Sequence, residues 1–134
     1  MRTAIAVFSL LMLLVVGLAQ GQDVSVKSMP PSVVKTVPQC GDMTVDAAVT
    51  NQITVTFSKD MMDESWSWYQ VEPETFPQLT GKPKYLDDKR TCVVNVKLEP
   101  KKTYVVWLNI QEHANFKDTD GTPAVPYLLV FQTK

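Results

Sequence analysis

Residues 52–58, QITVTFS, alternate without a break, with Ile53, Val55 and Phe57 on one side and Thr54, Thr56 and Ser58 on the other. A period of two belongs to an extended strand with one dry and one wet face, and no helix satisfies it. The rest of the chain is nearly free of helical periodicity. SVVKTVP (32–38) is a short strand stopped by Pro38, and SWSWYQV (65–71) is a third strand candidate. KPKYLDDKRTCVVNVKL (82–98) reads as a hairpin turning at DDKR, with Cys92, Val94, Val96 and Leu98 sharing a face. TYVVWLNI (103–110) and PYLLVFQT (126–133) complete seven strands, separated by a long loop that carries the only histidine, His113. Seven short strands with Gly, Pro and Asp turns predict an all-β, antiparallel sandwich.

Upstream, residues 1–19 hold one positive charge at Arg2 and an uncharged apolar run from Ala4 to Ala19, with Gly17 and Ala19 before a polar stretch. The run is shorter than the roughly 20 residues of a membrane-crossing helix. It predicts a helical signal peptide cleaved after Ala19, a periplasmic or secreted product, and no membrane insertion after cleavage. Residues 20–30 read as a flexible leader, and residues 31–134 as one domain. An even pair of cysteines, Cys40 and Cys92, in an oxidising compartment makes one disulfide the expectation, with two reduced, buried thiols as the alternative. Without Arg2, 12 basic residues face 14 acidic ones, a net charge of −2. No Lys/Arg stripe offers itself to nucleic acid.

At the turn into the sixth strand, LEPKKTY sets Leu98, Pro100 and Tyr104 at the spacing of a tyrosine corner, whose hydroxyl bonds back to the backbone. An ordinary proline turn is the alternative. PPSVVKTVPQCGDMTVDAAVTNQITVTFSKDM, LEPKKTYVVWLN and NFKDTDGTPAVPYLLVFQT, in that order, resemble the bacterial Ig-like domain first described in S-layer proteins, the SbsA Ig-like type. The resemblance covers nearly all of residues 31–134 and implies an extracytoplasmic seven-stranded Ig-like β-sandwich serving as a spacer, stalk or binding module. Fibronectin type III topology is the runner-up, because its tyrosine corner looks alike.

Chemistry is sparse. One His and two distant Cys make no zinc site. Asp118 and Asp120 have the opening rhythm of a calcium loop, but no acidic residue follows Gly121 to close it. No nucleophile context accompanies any serine, Asp87 and Asp88 sit in a hairpin turn beside Lys89 and Arg90, and Cys92 faces a core. No cofactor is expected, and a small hydrolase is the remote alternative to a non-enzymatic protein.

The apolar surplus is the informative part. If Tyr104, Val106, Leu108 and Ile110 face the core, Val105 and Trp107 point outward; if Tyr127, Leu129 and Phe131 point in, Leu128 and Val130 point out. Ig connections set the third, sixth and seventh strands side by side, so one outer face would carry Val105, Trp107, Leu128 and Val130, joined by Trp66 and Trp68. If Trp66 and Trp68 instead face the core, the platform shrinks to Trp107 and its neighbours. Three occupants fit such a face. The chain's own residues 72–81, with Phe76, Pro77 and Leu79, are one; an envelope or extracellular protein, or a second copy, is another. The third is a glycan stacked on the rings near Asp63, Glu64 and Gln70. The sequence therefore favours a protein-interaction or cell-envelope structural role, with a carbohydrate-binding module as the alternative.

Overall fold

The computed structural model describes residues 23–134, so the expected signal peptide, its expected cleavage after Ala19 and the first residues read as a leader lie outside the described part. Eight strands form: β1 Val33–Val37, β2 Gln52–Phe57, β3 Trp68–Gln70, β4 Gln78–Leu79, β5 Lys84–Tyr85, β6 Thr91–Lys97, β7 Thr103–Leu108 and β8 Tyr127–Gln132. All strand pairs are antiparallel. One sheet runs β1-β2-β6, with β4 and β5 both pairing to β6, and the second runs β3-β7-β8. Two such sheets, packed through their apolar faces, make the Ig-like β-sandwich expected from the sequence. The seven expected strands are present; β4, only two residues long, is an addition.

The alternation of β2 is realised directly, with Ile53, Val55 and Phe57 buried and Thr54 and Thr56 half-buried on the other face. Across from them, Tyr104, Val106 and Leu108 of β7 and Leu129 and Phe131 of β8 close the core. Ile110, expected inside, lies past the end of β7 and is only half-buried, in a bridge to His113. The core has two clusters, one around Ile53, Tyr104 and Phe131 and one around Phe57, Leu108 and Phe116.

Tyr104 marks a built corner. Its hydroxyl accepts the Glu99 N–H at 2.8 Å, and its ring stacks on Phe131 with centroids 5.4 Å apart. The free edge of β8 is covered by residues 41–45. Val130 O accepts the Gly41 N–H at 2.7 Å, and Gln132 O accepts the Val45 N–H at 3.1 Å. Gly41, with φ +87°, turns the chain into this position, a conformation that glycine adopts without a Cβ penalty.

Cys40 and Cys92 are not bridged, which corrects the disulfide expectation. Cys92 sits mid-strand on β6 in the Phe116 cluster, while Cys40 packs against the other cluster with its Sγ turned to Leu128 O. Burial pushes the Cys92 thiol up to about 12. The sulfur therefore behaves as a small core hydrophobe.

Candidate functional site

Register builds the outer face of β3-β7-β8. Tyr69 pairs with Trp107 and Trp107 with Leu128, so these three side chains form one row across the sheet. Val105 pairs with Val130, and Val71 extends β3 alongside to make a second row. Trp107, Val105 and Val130 are half-buried; Tyr69, Val71 and Leu128 are 39%, 47% and 38% exposed. Beyond the second row Thr103 pairs with Gln132, where the surface becomes polar. At the other end, the His113 ring stacks on Tyr69 with centroids 5.5 Å apart and planes 21° off parallel.

Trp66 and Trp68 lie elsewhere. Trp68 pairs with Leu108, hence on the inner face, and packs edge-on against Phe116 at 5.6 Å. Its buried Nε1–H has no hydrogen-bond partner among the described residues. Trp66 is half-buried against the same core cluster, with Lys82 Nζ 5.6 Å from its ring centre. The place on the outer face that alternation offered to these two rings belongs to Tyr69 and Val71.

The local cause is visible in the backbone. Only Trp68–Gln70 pair with β7, because the residues before them bond to the 109–116 loop instead. Ser65 donates to Asn115 O, Ser67 Oγ accepts the Asn115 N–H, and Ser67 O accepts the Asn109 N–H. Asn109 anchors that loop. Fully buried at φ +66°, it donates to Phe116 O and Ala124 O and accepts the Phe116 N–H at 2.9 Å. Nothing in the sequence reading singled it out. The available signal was an Asn closing an apolar strand, a residue that tolerates positive φ.

Phe76, Pro77 and Leu79, the residues expected to lie across this face, are placed elsewhere. After a single 3-10 turn at Pro73–Thr75, Phe76 packs into the core and Pro77 is buried. Leu79 then joins β4, which pairs with β6 in the opposite sheet.

The acidic loop is tied to the domain through Asp118. Asp118, 1% exposed, places Oδ2 2.7 Å from Lys59 Nζ, while its Oδ1 accepts the Asp120 and Thr122 N–H groups. Both oxygens are engaged, and Gly121 at φ +84° closes the turn. Among the described residues no group of three or more His, Cys, Asp or Glu side chains converges as a metal site. Lys59 also donates to Lys27 O and Met29 O, both at 3.0 Å, so residues 23–30, read from sequence as a flexible leader, are tied to the domain. Asp87 is exposed, and Asp88 caps its turn through Arg90 N–H, Thr91 N–H and the Thr91 hydroxyl.

A family model described as a bacterial Ig-like domain matches residues 27–133. No curated protein matches the chain. Among solved structures, the S-layer protein rSbsC(31-844) aligns at a TM-score of 0.48 and 19% identity, over 79% of this chain and 14% of that one. Domains 1-6 of the surface layer protein SbsC give 0.44 and 20%, over 78% of this chain and 14% of that one. The chain thus spans about 14% of the length of the solved chains it matches.

Proposed function

The chain belongs to the bacterial Ig-like domain family, and from that premise we propose that it is a non-enzymatic extracytoplasmic protein that works by protein contact at the cell envelope. The outer face of β3-β7-β8 is its contact surface. The observation that carries this reading is the pair of rows Tyr69–Trp107–Leu128 and Val71–Val105–Val130, six apolar side chains on the outer side of one sheet, of which Tyr69, Val71 and Leu128 are exposed. A wet antiparallel face normally alternates to polar residues, as β2 does with its threonines. An aromatic flanked by aliphatics is the usual composition of an interface centre.

The signal-peptide pattern of residues 1–19 supports export, and the even-handed charge leaves surface chemistry, not long-range attraction, to choose the partner. The test is a photo-crosslinking residue at Leu128, compared with one at the exposed Gln52 of the opposite sheet, in cells expressing the full chain. Specific adducts to an envelope or secreted protein at 128 and none at 52 support the reading. Equal or absent adducts at both positions refute it.

A further inference from the structure

At the corner where this face meets the β3 edge lies a cleft of about 360 Å³, lined by Trp66, Trp68, Tyr69 and His113 on one side and Leu79 and Pro83 on the other. We propose that this cleft binds a pyranose ring of a neutral glycan chain, a ligand distinct from the protein partner at a site that shares only Tyr69 with the protein-contact face.

The volume is at the small end of ligand pockets, fitting a ring-sized group and not a folded segment. Its walls are flat. The Tyr69 and His113 rings are already stacked, so the aromatic surface is organised before anything binds. Around these apolar walls stand three polar tips: the Tyr69 hydroxyl, the Trp66 indole N–H and the His113 imidazole. None of them has a side-chain hydrogen bond within the described residues, whereas neighbouring Tyr85 donates to Ser65 O and Ser67 accepts from Asn115. Apolar plates with hydrogen-bonding rims match a pyranose with equatorial hydroxyls, whose two faces present C–H groups and whose edge presents O–H groups.

Charge narrows the choice. The cation nearest the cleft, Lys82 over Trp66, is neutralised by Glu64 at 2.8 Å, and no lining residue is a Lys, Arg, Asp or Glu. Nothing there compensates an anionic sugar or a phosphate, and a neutral ligand needs no counter-charge.

The test titrates the folded protein with cellohexaose and, separately, with hexa-N-acetylchitohexaose, following the indole N–H resonance of Trp66 by NMR. The expected result is a saturable shift with one of them, at a Kd on the order of 0.1–1 mM, as suits a shallow site. Tyr69→Ala should weaken it roughly tenfold, the loss of about 1.4 kcal/mol. Leu79→Ala, on the opposite wall, gives an independent reading should the Tyr69 variant fold poorly. Trp107→Ala, on the face but outside the cleft lining, should leave sugar binding unchanged while reducing the protein adducts, so the two readings fail separately. No saturation by either sugar up to about 10 mM, or undiminished binding by both cleft variants, overturns the proposal. Saturation by a decaproline peptide with neither sugar also overturns it, in favour of proline-rich peptide docking.

Discussion

Replacing Lys59 with Met keeps the apolar stem and removes the charge that meets Asp118. The Lys59 side chain is 13% exposed and that of Asp118 2%, so both charges are largely out of water. The Lys27 and Met29 carbonyls released by the change belong to exposed residues and turn to solvent at small cost. Asp118 has no such escape, because its Oδ1 is fixed by the Asp120 and Thr122 amides and Oδ2 is left facing an aliphatic chain. Removing one partner of a buried ion pair costs about 3–5 kcal/mol, a large share of the roughly 5–15 kcal/mol that holds a domain folded. With a urea slope of about 1–3 kcal/mol per molar, the unfolding midpoint should fall by roughly 2 M. The pH dependence gives a second reading. Burial pushes the Asp118 carboxyl up, but the Lys59 hydrogen bond, then the Thr122 and Asp120 amides, outweigh it and hold the group below its ordinary value. A depressed folded value means the wild type has this stability in full above the ordinary carboxylate range and loses it as pH falls through the folded value. Without Lys59 the burial penalty stands with less opposition, the folded value rises, and protonation relieves the variant first. The deficit of the variant should therefore narrow between pH 7 and about 4. Urea unfolding at several pH values measures it. A deficit below about 1 kcal/mol at neutral pH, or one that does not narrow, would refute the reasoning.

Asn109→Ala removes three hydrogen bonds, orphans the buried Phe116 N–H and puts alanine at φ +66°. It should cost about 3 kcal/mol in urea unfolding and speed amide exchange at Phe116. Tyr104→Phe keeps the stacking on Phe131 but leaves the Glu99 N–H without its acceptor, an expected loss of about 1–2 kcal/mol by the same assay. Thiol titration of the native protein should find Cys40 and spare Cys92 until denaturant is added, since burial holds the Cys92 thiol up near 12. Two protected sulfurs joined in one oxidised species would contradict the unbridged arrangement.

The period of two carried far. It separates the buried Tyr104, Val106, Leu108, Leu129 and Phe131 from their outward neighbours, and with Ig connections it sets the third, sixth and seventh strands together. It fails at SWSWYQV because both phases are apolar, so alternation alone does not choose between the tryptophans and the Tyr69–Val71 pair. The choice is made by contacts from far away, the 109–116 loop binding Ser65 and Ser67 and Phe116 receiving Trp68. The Lys59–Asp118 pair is similarly hidden, joining two residues 59 apart with no local pattern. The cysteines mislead for the opposite reason. Their number and expected compartment suit a bridge, but Cys40 lies in the turn after β1 and Cys92 in mid-β6, packed against different clusters of one core.

Phe76 and Pro77 settle whether the outer face is spare. By turning inward they carry the chain from β3 to β4, which pairs with β6 in the opposite sheet, and the aromatic that might have lain over Trp107 packs on the core instead. What remains is small. Three strands about 4.8 Å apart and two rows of side chains make a patch well below the ~800 Å² per partner of a standard interface. A partner seated on these six side chains alone is thus held weakly and reversibly, and its affinity concentrates in the centre of the patch. That centre is Trp107, flanked directly by Tyr69 and Leu128 on the middle strand of the sheet. Trp107→Ala should then weaken partner binding by at least about 2 kcal/mol, roughly thirtyfold, while Val130→Ala at the periphery changes it by less than about threefold. Crosslinking yield at Leu128 against increasing partner concentration measures both variants. Equal losses from the two substitutions would mean that the energy is spread over the patch, and Trp107 would not be its anchor.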